Sequence, residues 1–313
     1  MFATIRNRLL MSAPLLLVVT LVSFVLNSLS PNDLARTIIG ADGTQEQYLE
    51  LRRELGLDRP VVVQYAAWLG RALQGDLGTS YLTKQRVTTM VLPRLGVTLS
   101  IVTGVMAVCV AAGLLLGVTS ALRGGWVGRA IDVLSLTGLI FPSFVVALFF
   151  IIVFAVWLRL LPATGYVMFS QDPMGWLASL VLPVLSVSLL PIANIAKQTR
   201  DSMNDVLRRD FIRSLRACGV PERSVIWKHA LRNAALPVVT VLGIVMIGAI
   251  SGSVFVERVF VLPGLGSLAV SAAQTSDIVV LQGATLFFGL LAVAINLVVD
   301  LSYGWLDPRV RVA

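Results

Sequence analysis

The chain has 313 residues, of which 57% are hydrophobic and 13% charged, and its formal net charge is +8. Water-soluble domains carry about 45–50% apolar and about 25% charged residues, so this composition excludes a soluble enzyme and makes the bilayer the solvent. The positive excess then reports topology, because Lys and Arg are retained on the cytoplasmic side of a membrane, and nucleic acid is not expected as a partner.

A helix crossing about 30 Å of hydrocarbon needs about 20 apolar residues. Six charge-free windows meet this in chain order: 9–29, 95–122, 133–158, 173–196, 233–256 and 278–299. The first is too long for the h-region of a signal peptide (about 7–15 residues) and no A-x-A site follows, so it is expected to be an uncleaved anchor. The outer segment 30–94 carries its own helical signals. Thr44 fits the cap of a helix running through Leu55, Gly56 its stop, and Pro60 the first turn of a second helix. Tyr48, Leu51, Leu55, Val62, Tyr65 and Leu69 supply apolar faces, which predicts a small extracytoplasmic helical cap. A seventh apolar run, 259–276, is interrupted by Pro263, Gly264 and Gly266 and ends in polar residues, so it is expected to dip into or lie on the membrane.

Charge placement orients the chain. With both termini in the cytoplasm, the short inner segments hold 15 Lys or Arg and the short outer loops only Arg159 and Arg258, a strong positive-inside pattern. The expected organisation is an anchor plus outer cap over 1–94 and a five-helix core over 95–313, with a basic inner loop at 197–232.

Several chemistries are absent. There is no G-x-x-x-x-G-K-[ST] loop to cradle a nucleotide phosphate, and Gly264-Leu265-Gly266 lacks the βαβ context of a dinucleotide fingerprint. The single histidine, His229, lies in the basic loop, which removes a Ser-His dyad and any multi-histidine metal site. Span interiors carry no ionisable residue of the kind that couples transport to protons or ions; Asp132 and Asp300 fall near inner ends, where pairing with Arg129 or Arg309 would satisfy them. Gly113 with Gly117, and Gly248 with Gly252, allow close helix approach, for internal packing ahead of dimerisation. Pro142, Pro183 and Pro191 break regular hydrogen bonding within spans. Cys109 and Cys218 fall in an apolar and a basic stretch, which argues against a disulfide.

The inner loop is the most informative stretch. Residues 210–219 predict a short helix with Asp210 as N-cap and Gly219 as the left-handed stop. Isolated helices below about 12–15 residues are marginal in water, so something must hold this one. Phe211 and Leu215 lie one turn apart on one face. That face suits either a cytoplasmic protein partner or, with the surrounding arginines, an anionic lipid surface.

Arg213-Ser214-Leu215-Arg216-Ala217-Cys218-Gly219, running on through Lys228-His229-Ala230-Leu231-Arg232-Asn233-Ala234 to Pro237, resembles the coupling-loop motif of ABC-importer permeases. It looks most like the branch that moves dipeptides, oligopeptides and nickel. Leu55-Gly56-Leu57-Asp58-Arg59-Pro60, Gly75-Asp76-Leu77-Gly78 with Ser80, Val256-Glu257-Arg258 leading to Pro263-Gly264-Leu265-Gly266, and the ending Asp300 to Arg309 match in the same order. The chain departs from the wider motif, which begins Glu-Ala-Ala where Arg213, Ser214 and Leu215 stand, and from the peptide branch, which usually has Lys in place of Cys218.

The resemblance implies an all-α polytopic protein with the type I ABC importer permease fold, and a half-channel completed by a second, homologous permease subunit. It implies cytoplasmic ABC ATPase subunits that carry ATP and magnesium, and an extracytoplasmic substrate-binding protein, with no cofactor and no catalysis on this chain. Asp210, Phe211, Leu215, Ala217, Gly219 and Glu222 are the expected ATPase-coupling residues; Asp76, Gly78, Pro263, Gly264, Leu265 and Gly266 are expected at a binding-protein contact or gate. The expected function is ATP-driven peptide import by alternating access. The alternatives are nickel or another small solute as cargo, and a secondary carrier without an ATPase.

Overall fold

The computed structural model describes residues 2–29, 34–40, 44–123, 125–140 and 142–306. Among these the chain is helical, with one isolated antiparallel bridge between Thr79 and Arg86. Five helices are long and apolar enough to cross a membrane: α1 (Phe2–Ser28), α5 (Val87–Arg123), α8 (Pro173–Leu207), α11 (Leu231–Val259) and α13 (Ile278–Leu306). The third expected span is built differently. Helix α6 (Gly125–Ile140) gives way to α7 (Ser143–Phe150), whose N-cap is Pro142 at φ −59° and ψ 148°, and a π-helical segment, Ile151–Trp157, finishes it. Proline lacks the N–H that a continuous helix needs, which puts the division here. Pro183 and Pro191, by contrast, are absorbed inside the unbroken α8.

The shorter helices are α2 (Leu34–Ile39), α3 (Gln45–Glu54), α4 (Val61–Ala72), α9 (Asp210–Ala217), α10 (Glu222–Ser224) and α12 (Leu265–Gln274). Helix α3 starts as its sequence predicts: Thr44 Oγ1 accepts the Gln47 N–H at 3.3 Å, and the Gln47 side chain accepts the Thr44 N–H at 3.0 Å, a reciprocal capping box. Gly56 follows at φ +67°, in the left-handed region that ends a helix without a Cβ penalty.

The chain forms two compact units. One gathers Arg6–Thr98 with Pro263–Val293, so the apolar run after Pro263 joins the N-terminal segment. Its core includes Phe24, Tyr65, Trp68, Leu77, Leu265 and Leu268. Of the expected cap face, Tyr65 is buried while Val62 is 69% exposed; Trp68, at 3%, takes the inward place. Burial favours pairing of polar groups in low-dielectric surroundings. Among the described residues, Trp68 Nε1, Asn27 Nδ2 and Ser276 Oγ are buried in this unit without a hydrogen-bond partner, whereas others are paired. Tyr65 and Thr20 share a hydroxyl hydrogen bond of 2.9 Å, and the buried Gln282 amide donates to the Thr20 carbonyl at 2.7 Å.

The other unit is built on Leu99–Leu262 and the end of α13. Here α5 lies directly on α8. A Cβ on Gly117 would stand 2.4 Å from the Thr199 Cβ and 2.7 Å from the Ala196 carbonyl oxygen, and one on Gly113 would stand 2.6 Å from Ile195 Cγ2. The first Gly-x-x-x-Gly pair therefore serves internal packing. In the second pair, a Gly252 Cβ would meet Ser143 Oγ at 3.4 Å, whereas Gly248 faces open space.

Candidate functional site

The inner loop follows α8 with almost no linker. Arg208 closes α8, and Arg209, extended at φ −71° and ψ 149°, is the N-cap of α9. Asp210 is thus the first helical residue and not the N-cap. The cap position requires β-region backbone, and Arg209 supplies it without a side-chain hydrogen bond to the helix. Asp210 still favours the helix through its charge at the positive end of the dipole, and its carboxylate meets Arg213 Nη1 at 3.4 Å. At the other end Gly219 adopts φ +74°. Its N–H donates to the Arg216 carbonyl at 3.0 Å and the Val220 N–H to the Leu215 carbonyl at 3.1 Å, a Schellman closure.

What holds this two-turn helix is Ile212. It is fully buried in a cluster with Val118 of α5, Met203 and Val206 of α8, and Val225 and Ile226 of the π-helical turn Val225–Ala230 that leads into α11. Leu215 packs partly on the same cluster. Phe211 is 38% exposed, and Ala217 and Cys218 are exposed with it. The expected Phe211 and Leu215 face is therefore divided: Leu215 turns toward the Ile212 cluster, and Phe211 is the apolar side chain left exposed. Arg216 closes the loop by donating to both oxygens of Glu222, at 3.1 and 2.6 Å. This hydrogen bond raises the guanidinium's already high pKa.

The outer set sits together in the unit containing the cap. Gly78, at φ +87°, receives the Asp76 carboxylate on its N–H at 2.9 Å, and a Cβ there would come within 2.8 Å of Val279. The buried Ser80 hydroxyl donates to Asp277, which also accepts the Val280 N–H at the start of α13. The Leu265 N–H, at the start of α12, donates to Thr98 Oγ1 at 2.9 Å. Asp76 and Pro263 are exposed; Gly78, Gly264, Leu265 and Gly266 are buried.

A groove of about 730 Å³ opens between α7, α8 and α11. Pro142, Val146, Phe149, Leu190, Gly248 and Gly252 supply much of its apolar lining, with Ser143, Ser186 and Asn194 as its polar side chains. Such a volume is within the range of small-molecule sites, about 300–1,000 Å³. Among the described residues, none that lines it is ionisable.

Residues 113–312 match the family described as binding-protein-dependent transport system inner membrane component, and residues 1–102 match the N-terminal part of such components. The chain belongs to this family. The permease is therefore a multi-pass inner-membrane protein of the type I importer fold, and ATP hydrolysis belongs to separate subunits. A Brucella abortus protein named as a peptide transport system permease is 42% identical over 312 residues, covering 99% of both chains. The glutathione transport system permease protein GsiC of Pectobacterium atrosepticum is 38% identical over 306 residues, covering 97% of both. A Sinorhizobium fredii protein named as a peptide ABC transporter permease is 37% identical over 308 residues, covering 98% of both.

Two features of the permease escaped sequence reasoning. Orienting the helix by Phe211 and Leu215 hides Ile212; the spacing of Ile212, Leu215 and Val220 carries the alternative face. Asp132 does not pair with Arg129, which lies over the Trp126 ring with its guanidinium carbon 5.8 Å from the centroid. Asp132 pairs with Arg200 of α8 at 3.0 Å. No spacing rule links residues so far apart in sequence. Arg309, the expected partner of Asp300, lies outside the described residues.

Proposed function

We propose that this permease is one membrane half of an ATP-driven importer that carries peptides inward across the cytoplasmic membrane by alternating access. The observation that carries the reading is end-to-end similarity to permeases named for peptide and glutathione transport. The groove chemistry supports it. A wall whose described residues carry no fixed charge and offer a few amide and hydroxyl groups accommodates a peptide backbone and tolerates varied side chains.

In this reading the groove is half of the path, and a second homologous permease supplies the rest. The exposed Phe211, Ala217 and Cys218 surface meets a cytoplasmic ATPase carrying ATP and magnesium. Asp76 and Pro263 meet an extracytoplasmic binding protein, while the buried Gly78 and Gly264–Gly266 backbone holds those contacts in place. Both termini lie in the cytoplasm in this reading, which the placement of Lys and Arg supports.

The test is a photo-crosslinker attached to Cys218, the exposed one of the two free cysteines, in membranes from the native source. The reading expects capture of an ABC ATPase, co-purification of a second permease and a binding protein, and peptides as the binding protein's retained ligand by mass spectrometry. Capture of lipid alone with no associated ATPase would refute it.

A further inference from the structure

Arg200 lies in the final turns of α8, just ahead of α9. Its guanidinium grips Asp132 of α6 as a fork, with Nη1 donating to Oδ2 at 3.2 Å and Nη2 to Oδ1 at 3.0 Å. Nη1 also donates to the Gly128 carbonyl at 3.2 Å, and Nε to Asp201 Oδ1 at 3.0 Å. The side chain is only 16% exposed. Gly128 leaves room for this approach, since a Cβ there would stand 3.3 Å from Nη1. Bidentate guanidinium–carboxylate pairs fix orientation as well as distance, which a lysine at the same place would not do.

The two helices joined by this fork do different work. Helix α8 runs directly into α9, whose seat is formed by α5, α8, the π-helical turn and α11 but by no described residue of α6. Helix α6 leads through Pro142 into α7, and Pro142, Ser143, Val145, Val146, Phe149 and Phe150 form one wall of the groove. A displacement of α9 thus reaches α8 through the two-residue link Arg208–Arg209 and the apolar packing around Ile212. It reaches α6 across an interface that the fork pins at its inner end. Beyond the fork, the interruption at Pro142 is where the span can change angle, because the chain lacks a continuous hydrogen-bond ladder there.

We propose that Arg200 and Asp132 are positioning residues that make α6 travel with α8 and the coupling helix, so that ATP-driven movement of α9 is delivered to the groove wall at Pro142. This rests on the proposed function. Neither residue touches cargo or ATPase; both act through the helices they join. Their loss leaves α9 seated and ATP hydrolysis running while the groove wall fails to follow.

The test uses the complete transporter in proteoliposomes with its binding protein, a radiolabelled mixture of alanine di- to pentapeptides as probe, and uptake and ATP hydrolysis recorded together. In Asp132→Ala the uptake-to-hydrolysis ratio is expected to fall by about fivefold or more, the scale of a modest coupling free energy, with hydrolysis near the wild-type rate. Arg200→Lys, which keeps the charge and loses the fork, should lower the ratio in the same direction, and Asp132→Glu should restore most of it. An unchanged ratio in Asp132→Ala overturns the inference. So does a proportional loss of uptake and hydrolysis, which would mark a merely structural pair. If Asp132→Ala does not assemble, Arg200→Lys decides, and a wild-type ratio there overturns the inference. Absence of ATP-dependent uptake by the wild-type complex overturns the proposed function itself, so the two failures are distinct.

Discussion

Ile212→Ala gives the sharpest prediction about how the permease holds α9. Ile212 has no exposed surface, and its neighbours come from α5, α8 and the segment entering α11. Removing three carbons forfeits about 0.8 kcal/mol each in transfer. The cavity left by incomplete collapse adds to this and places the total near 3 kcal/mol, within the range of about 2–5 for such truncations. An eight-residue helix has no stability of its own to absorb the loss. The cost therefore falls on local opening of α9. At about 1.4 kcal/mol per factor of ten, this is about 100-fold more frequent opening. Amide hydrogen exchange across 212–218 in nanodiscs reads that opening directly. The expected result is about 100-fold faster exchange in α9, with 180–195 of α8 unchanged and ATPase co-purification reduced. Phe211→Ala provides the contrast: it should leave exchange as in the wild type and still weaken ATPase association. Wild-type exchange in Ile212→Ala would show that Ile212 is not the anchor.

Glycine substitutions separate crowding from backbone strain. Gly117→Ala forces a Cβ against the Ala196 carbonyl at 2.7 Å; α5 and α8 must part, and thermal stability in detergent should drop by about 1–3 kcal/mol. Gly248→Ala, which faces open groove, should leave stability unchanged. Gly78→Ala combines a left-handed φ of +87° with a 2.8 Å contact to Val279, whereas Gly75→Ala has a similar φ of +84° and free space; thermal shifts should show about 1 kcal/mol for Gly75→Ala and clearly more for Gly78→Ala. Glu222→Gln breaks an exposed ion pair with Arg216, and since such pairs are worth about 0–1 kcal/mol, ATPase co-purification should hardly change.

Local chemistry made some elements legible before any tertiary contact was known. The α3 boundaries follow from Thr44, Gln47 and Gly56 because capping is decided within a few residues. The stop of α9 at Gly219 is legible for the same reason. Where the decision is tertiary, pattern reading loses its grip. The face of α9 is set by Ile212 meeting α5 and α8; the partner of Asp132 comes from α8; and Leu265, expected at a binding-protein contact or gate, is fully buried. The interruption of the third span lay in between, since Pro142 marked a break but not the π-helical finish at Ile151–Trp157.

The most direct measurement of the central claim is peptide uptake by proteoliposomes containing the permease with its co-purified partners and binding protein, with and without ATP. The account predicts accumulation of alanine peptides only with ATP, and its loss in Gly248→Trp, whose indole would fill the groove while ATPase association is kept. Accumulation without ATP, driven by an ion gradient alone, would contradict it.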